Sequence, residues 1–129
     1  MNKKTSDTND NESKTRVLEY HPEKAAFKEM ATVPERIRDA FLLSLSMVLK
    51  HLEPACQVSP LGGLGKNVYE LKINGRPAWR CIYYTGITGK IVVLHVTEKT
   101  TNGRDSQIAN VVEQRLKTLR DELKVGRKK

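Results

Sequence analysis

Residues 67–97 read NVYELKINGRPAWRCIYYTGITGKIVVLHVT, a segment that contains three candidate β-strands. From residue 68 to residue 73 apolar and polar side chains alternate with a period of two, which predicts a strand buried on one face. Asn74-Gly75 is a strong hairpin signal, so residues 78–84 are expected to form the return strand. Residues 91–97 are apolar on both faces apart from one histidine, which is typical of a central strand. The segment predicts a three-stranded meander.

The register of the first hairpin decides which polar side chains meet across it. A two-residue loop would place Glu70 opposite Trp79. A three-residue loop would place Glu70 opposite Arg80, and Leu71 would then face Trp79. We favour the three-residue loop because it keeps apolar side chains facing each other. It predicts Glu70, Lys72 and Arg80 on one face of the sheet, with Tyr69, Leu71, Trp79 and Cys81 on the other.

Helical periodicity flanks the meander on both sides. A short helix is expected over residues 21–30, and a longer one opens at residues 33–35 and ends at Pro54. The apolar stripe of the longer helix comprises Ile37, Phe41, Leu45, Val48 and Leu52. A last amphipathic helix is predicted over residues 104–124. Residues 16–20 are expected to form a short strand, and residues 55–66 a glycine-rich loop.

The predicted fold class is therefore α+β, with an antiparallel sheet of three to four strands packed on N-terminal helices and a C-terminal helix. In this arrangement one sheet face remains available for a ligand. The 129 residues are enough for one domain. We expect a disordered polar segment over residues 1–16, the folded domain over residues 17–125 and a basic tail over residues 126–129.

The net charge of +8 is unevenly distributed along the chain. Residues 61–129 hold 14 basic and six acidic side chains, so the whole excess lies after residue 60. Such asymmetry favours a polyanionic partner such as RNA, DNA or an anionic membrane, although a basic surface can also serve solubility alone. No segment has the apolar length of a signal peptide or a membrane span, which predicts a cytoplasmic protein with its two cysteines reduced.

The chain lacks the short motifs of serine hydrolases, zinc proteases, P-loop proteins and dinucleotide-binding enzymes. Candidate chemistry must therefore be sought on the strands. Glu70 and Arg80 form either a structural ion pair or part of a site, and the two interpretations carry equal weight at this point. His95 inside an apolar strand is more often a hydrogen-bonded packing residue. Lys99 and Arg104 follow that strand and are by default in a solvated loop.

Three runs then occur in a specific order, followed by the predicted C-terminal helix. They are Leu64-Gly65-Lys66-Asn67-Val68-Tyr69-Glu70-Leu71-Lys72, Trp79-Arg80-Cys81-Ile82-Tyr83 and Val93-Leu94-His95-Val96-Thr97-Glu98-Lys99. This order resembles the phage-derived HigB-like branch of the RelE toxins, within the RelE/ParE superfamily of type II toxins. The chain departs from the pattern of that branch at Lys72, Trp79, Thr97 and Thr100, where arginine, tyrosine, phenylalanine and a second lysine are usual.

The resemblance implies a RelE-like fold and a messenger-RNA endoribonuclease that acts at the ribosome, inhibits translation and is held inactive by a cognate antitoxin in a hetero-oligomer. It implies a reaction without metal ions or cofactors. Arg80 would stabilise the phosphate, Lys99 would bind it, Glu70 would transfer a proton or hold Arg80, and His95 would donate a proton or orient the site. The basic residues expected to bind RNA are Lys66, Lys72, Arg76 and Arg104.

Two other functions remain open for a chain of this kind. Relatives in the ParE branch share the fold and poison DNA gyrase without cutting RNA, and fold alone does not separate the two activities. A non-catalytic basic module that binds RNA or a host protein is the third possibility. It would bind RNA in a salt-dependent way even after loss of Glu70.

Overall fold

A computed structural model describes residues 14–100 and 105–127 of the chain. The elements in chain order are β1 (Val17–Tyr20), α1 (Glu23–Thr32), α2 (Glu35–Leu49), β2 (Gln57–Pro60), a single 3₁₀ turn (Gly62–Leu64), β3 (Val68–Ile73), β4 (Ala78–Tyr84), β5 (Lys90–Lys99) and α3 (Ser106–Arg127). The predicted α+β class is confirmed. The expected polar segment falls largely on residues 1–13, which lie outside the described residues, as do Arg104 and residues 128–129 of the expected tail. Residues 126 and 127 belong to α3, so the tail begins later than expected.

The strands form one mixed sheet of five strands in the order β1-β5-β4-β3-β2. The sequence predicted three to four strands in a purely antiparallel sheet, and both parts of that prediction need correction. β1 pairs with β5 in the parallel direction, which a short hairpin cannot produce but a long connection through helices can. β2 lies within the predicted loop at residues 55–66. It is a short edge strand that ends in Pro60, so its pattern is weak.

The β3–β4 hairpin differs in register from the favoured three-residue loop. Lys72 pairs with Arg80 and Glu70 with Ile82, so the predicted pairing of Glu70 with Arg80 is wrong. The connection spans residues 74–77, because Pro77 has no backbone N–H to donate to the ladder and β4 begins only after it. The difference is two residues, an even number, so each side chain keeps its predicted face.

A bulge interrupts β5 beside the middle of β4. Ile82 pairs with His95, but its neighbour Tyr83 pairs with Val93, which leaves Leu94 as the extra residue. A bulge of this kind reverses the alternation of the side chains that follow it. His95 therefore points to the same side of the sheet as Leu94, and Val96 packs on the opposite side with Val93.

Each face of the sheet is covered by helices. On the first face α2 contributes Ile37, Phe41, Leu45 and Val48 to a cluster with strand residues that include Leu71, Cys81 and Val93. On the second face α3 contributes Ile108, Val112, Leu116 and Leu119 to a cluster with Val68, Ile82, Tyr84, Val92 and Leu94. The expectation of one open sheet face is therefore wrong, because the apolar stripe of α3 is buried there.

The helices begin and end close to their predicted positions. α2 ends at Leu49 rather than at Pro54, and Leu52 is exposed instead of completing the apolar stripe. α3 begins at Ser106, where the Asp105 carboxylate accepts a hydrogen bond from the backbone N–H of Ile108 at 3.1 Å. This is the usual N-cap arrangement, and it places an acidic side chain at the start of the helix. No helix within the described ranges is long and apolar enough to cross a membrane.

Candidate active site

Buried polar side chains concentrate on the face of the sheet that carries α3. Among the described residues the buried polar or charged ones are Ser44, Glu70, Arg80 and His95. The last three share the α3 face, since Glu70 and His95 both pair with Ile82 and Arg80 lies two positions before Ile82 on the same strand. We call these three residues the polar end of the sheet. Burial of polar groups is costly, so each of them requires a partner or a function.

Glu70 and Arg80 form an ion pair that is not a hydrogen bond. The Glu70 Oε2 and Arg80 Nε atoms lie 3.7 Å apart, and the two side chains are only 12% and 10% exposed. They meet diagonally because Arg80 pairs directly with Lys72. A separation of 3.7 Å exceeds the range of N–H···O hydrogen bonds. The buried Nε–H of Arg80 has no hydrogen-bond partner among the described residues.

The rest of the Arg80 guanidinium is oriented by the β3–β4 connection. Nη1 donates to the carbonyl of Trp79 at 2.9 Å, and Nη2 donates to the Asn74 side-chain oxygen at 3.3 Å. The long bond to Asn74 and the long ion pair to Glu70 are both weak, so an incoming phosphate can replace them. Asn74, which the sequence identified only as a turn residue, thus has a second role in holding the arginine.

Glu70 and Lys99 line one groove of about 580 Å³, which we call the glutamate groove. Its walls are the 60–64 segment, including the 3₁₀ turn, and the start of α3 at Asp105, Ile108 and Ala109. Arg80 does not line this groove but is paired with Glu70, which does. The structure therefore brings Glu70, Arg80 and Lys99 to one locality, with a carboxylate and an ammonium group at the surface of the groove.

His95 lies beside a second groove of about 410 Å³, which we call the histidine groove. The two grooves adjoin, because Asp105 and Ile108 contribute to both. Thr97 and Thr100 also line the histidine groove. The bulge at Leu94 is what turns His95 toward this side of the sheet. A single extended ligand along the start of α3 can contact both Glu70 and His95.

The His95 ring is held by residues from two different helices. Its Nδ1 atom lies 2.9 Å from Glu29 Oε1 of α1. Arg115 of α3 donates to both carboxylate oxygens of Glu29, at 3.0 and 2.9 Å, and to the Leu94 carbonyl at 2.8 Å. The backbone N–H of Val96 also donates to Glu29, at 3.0 Å. We call Glu29, His95 and Arg115 the polar triad; His95 is buried, and the other two are partly buried.

The pKa of Glu29 shows how strongly this environment favours the carboxylate. Burial alone would raise the pKa, but hydrogen bonds from His95, Arg115 and the Val96 N–H outweigh burial and lower it from 4.5 to about 2. Neither Glu29 nor Arg115 was predicted from the sequence. No local pattern marks either of them, and they meet across 86 positions of the chain.

The predicted RNA-binding residues are dispersed. Lys72 pairs with Arg80 and adjoins the polar end. Lys66 precedes β3 and Arg76 follows it, so these two exposed residues lie at opposite ends of the strand. Arg104 lies outside the described residues. Within the described ranges no group of three His, Cys, Asp or Glu side chains is placed to hold a metal ion.

Comparison with known proteins identifies one family. The family model described as phage-derived protein Gp49-like matches residues 28–117, more than two thirds of the chain. The matched range contains the polar end, Lys99 and the whole polar triad. A search of curated proteins found no match.

Proposed function

This chain belongs to the family of phage-derived Gp49-like proteins, and we propose that it is the toxin of a type II toxin–antitoxin system and cleaves messenger RNA. The family is related to the RelE and HigB toxins. The observation that carries the proposal is that Glu70 and Lys99 line the glutamate groove, that Arg80 is paired with Glu70, and that the adjoining groove contains His95. These side chains supply the charges and proton carriers that phosphodiester cleavage requires.

The proposed reaction uses the 2′-hydroxyl of RNA as the nucleophile. Glu70 accepts the 2′-hydroxyl proton while the oxygen forms a bond to the adjacent phosphorus in line with the departing group. The bond from phosphorus to the 5′-oxygen breaks, and His95 gives that oxygen a proton. The products are a 2′,3′-cyclic phosphate and a 5′-hydroxyl end. Solvent then removes the proton from Glu70 and returns one to His95.

Arg80 and Lys99 stabilise the charge that develops on the phosphate. The phosphate exchanges with the weak contacts of Arg80 to Asn74 and Glu70, and it brings the unpaired Nε–H into use. Lys99 approaches from the groove wall. Thr100 stands where related toxins have a second lysine, so the reaction relies on fewer cations than in those relatives. We propose that the ribosome positions the messenger RNA and offsets this loss.

The partners follow from the same proposal. The cognate antitoxin would bind the toxin as a hetero-oligomer and block access to the site, and the pair would act in the cytoplasm. Basic residues beyond the grooves, Lys66, Lys72, Arg76 and Arg104, would contact RNA phosphates in a salt-dependent way. The excess positive charge after residue 60 supports an RNA substrate.

The proposal is tested by mapping new 5′ ends of messenger RNA in a purified translation system. Wild type is compared with Arg80→Ala and Arg80→Lys, and Arg36→Ala serves as a control because Arg36 is exposed on α2. We expect discrete cuts with wild type and Arg36→Ala. Arg80→Ala should slow cleavage about 10²- to 10³-fold, which is the usual effect of removing one hydrogen-bond donor to a transition-state anion. Circular dichroism of each variant verifies folding.

Three results would contradict the proposal or its assignment of Arg80. Equal cutting by folded Arg80→Ala and wild type would remove Arg80 from the mechanism. Absence of cuts together with inhibition of DNA gyrase would identify a toxin of the ParE type. Absence of cuts, with salt-dependent RNA binding that survives Glu70→Gln, would indicate a binding module without catalysis.

A further inference from the structure

We infer that Glu29 and Arg115 are positioning residues that hold His95 as the Nδ1–H tautomer and so present its Nε2 atom to the histidine groove as the proton-transfer atom. The catalytic part of this inference rests on the proposed function, whereas the tautomer itself does not. It gives one residue of α1 and one residue of α3 a role in the proposed reaction.

The tautomer follows from the hydrogen-bond inventory of the triad. Glu29 is ionised at all pH values well above 2, so both its oxygens accept hydrogen bonds and neither donates. A contact of 2.9 Å between Glu29 Oε1 and His95 Nδ1 then requires a proton on Nδ1. With a proton on Nδ1, the neutral ring carries its lone pair on Nε2.

Arg115 does not compete for His95 Nδ1. The Nη1 group of Arg115 has two hydrogens, and two good acceptors lie close to it, Glu29 Oε1 at 3.0 Å and the Leu94 carbonyl at 2.8 Å. The distance from Nη1 to His95 Nδ1 is longer, at 3.4 Å. Arg115 therefore acts on His95 through Glu29, which it grips with two parallel hydrogen bonds.

The other ring nitrogen, Nε2, takes no part in the contacts that hold the ring. Nε2 of His95 makes no hydrogen bond to the part of the chain that the structure describes, and His95 lines the histidine groove. Four charged side chains lie around His95 and its groove. They are Glu29 from α1, Arg115 from α3, and Asp105 and Glu98 along the groove. An acid–base histidine is typically oriented in this way, with a carboxylate bound to one ring nitrogen and the other nitrogen left for the substrate.

In the proposed reaction the two ring nitrogens of His95 have different tasks. The ring donates from its imidazolium form, which carries a proton on both nitrogens. The Nε2 proton passes to the 5′-oxygen as the bond from phosphorus to that oxygen breaks, and the neutral ring that remains keeps its Nδ1–H, hydrogen-bonded to Glu29. Solvent then returns a proton to Nε2. Without Glu29 the ring can place its proton on Nε2 in the neutral form or rotate, and the fraction in the productive orientation falls.

The tautomer is measured directly by long-range ¹H–¹⁵N NMR of the histidine rings in the neutral form. The chain has an internal reference, because His51 Nε2 lies 3.1 Å from the Lys14 carbonyl and must carry the proton itself. We expect the Nδ1–H pattern for His95 and the Nε2–H pattern for His51 in one spectrum. In Glu29→Gln the His95 signal should lose its single-tautomer pattern, and in Glu29→Asp it should recover part of it. Glu23→Gln, an exposed change on the same helix, should leave it unaltered.

The same variants are then assayed for messenger-RNA cleavage. We expect Glu29→Gln to slow cleavage about 10²-fold, the lower range for loss of an oriented acid–base group, with Glu23→Gln unaffected. An Nε2–H pattern for wild-type His95 would overturn the inference. Loss of the Nδ1–H tautomer in folded Glu29→Gln with undiminished cleavage would also overturn the catalytic part. The expected tautomer in a wild-type protein that cuts no RNA would support the positioning by Glu29 and overturn the proposed function instead.

Discussion

The two faces of the sheet are built from the same strands but are buried with different chemistry. The face under α2 is closed by aliphatic and aromatic side chains, with Phe41, Leu45 and Leu71 completely buried. The face under α3 contains an apolar cluster as well, but it also carries Glu70, Arg80 and His95. On the first face burial follows mainly the hydrophobic effect, and the buried hydroxyl of Ser44 on α2 accepts a hydrogen bond from the Cys56 backbone N–H. On the second face burial also requires charges to find partners.

The difference indicates a division of work between the faces. A predominantly apolar face stabilises the domain and can tolerate conservative repacking. A face with buried charges contributes less to stability for its area, and it holds side chains in fixed orientations that chemistry can use. Both grooves open on the α3 side, which agrees with this division.

The largest effect on stability is expected under α2. Phe41→Ala should lower the free energy of unfolding by about 3–5 kcal/mol, because it leaves a cavity at a fully buried site. Leu43→Ala on the same helix is the control, since Leu43 is 56% exposed and should change stability by no more than about 0.5 kcal/mol. Urea denaturation measures both values. Similar losses for the two variants would show that the comparison of the faces is wrong.

The next effect concerns acid stability on the α3 side. The pKa of Glu29 is about 2 in the folded protein against 4.5 as the usual value, so its ionised form stabilises the fold fully above about pH 4.5. This contribution is lost as the pH falls from 4.5 toward 2, and it amounts to on the order of 3 kcal/mol. Between pH 5.5 and pH 2.5 the free energy of unfolding should therefore fall more for wild type than for Glu29→Gln. Parallel pH dependence would contradict the role of the triad.

A smaller effect separates the buried ion pair from an exposed one. Glu70→Gln should cost about 1–3 kcal/mol, because the Arg80 charge stays buried without compensation. Glu19 and Lys90 form a closer pair at 3.2 Å, but both side chains are more than 40% exposed. Glu19→Gln should therefore cost at most about 1 kcal/mol, and salt should weaken its effect further. Thermal denaturation measures both losses. A larger loss of stability for Glu19→Gln than for Glu70→Gln would show that the buried pair is not the more important one.

The smallest perturbation tests how tightly the α2 face is closed. Burial raises the pKa of the Cys81 thiol, and Cys81 is fully inaccessible beneath α2, whereas Cys56 is half-buried. A maleimide reagent at neutral pH should modify Cys56 and leave Cys81 unmodified until the protein unfolds. Mass spectrometry of the intact protein follows both reactions. Equal rates for the two cysteines would show that this face opens readily.

The sequence predicted the local elements well and their mutual placement less well. Alternation identified β3, β4 and β5, and helical periodicity identified α2 and α3, because each of these patterns is contained within one segment. The hairpin register was wrong by two residues, since the turn signal at Asn74-Gly75 did not reveal where pairing would resume after Pro77. The face of each side chain was nevertheless confirmed, because an even shift preserves the alternation.

For the candidate site, too, neighbours along the chain were easier to predict than contacts between distant segments. Glu70 and Arg80 were predicted as neighbours because they lie on two strands joined by one turn. The parallel placement of β1 and the short edge strand β2 had no reliable local signal. The RelE-like fold stays a prediction, and so do the roles of the site residues, which the proposed experiments test.

By itself the sequence determined that this chain forms an α+β domain with a basic second half and polar side chains on one face of a hairpin. These properties depend on period, turn residues and charge, all of which are local. Only the tertiary structure decided that α3 covers the second face, that the bulge at Leu94 turns His95 toward it, and that Glu29 and Arg115 close around the ring. Contacts between distant segments depend on how whole elements pack, and that is a property of the assembled fold.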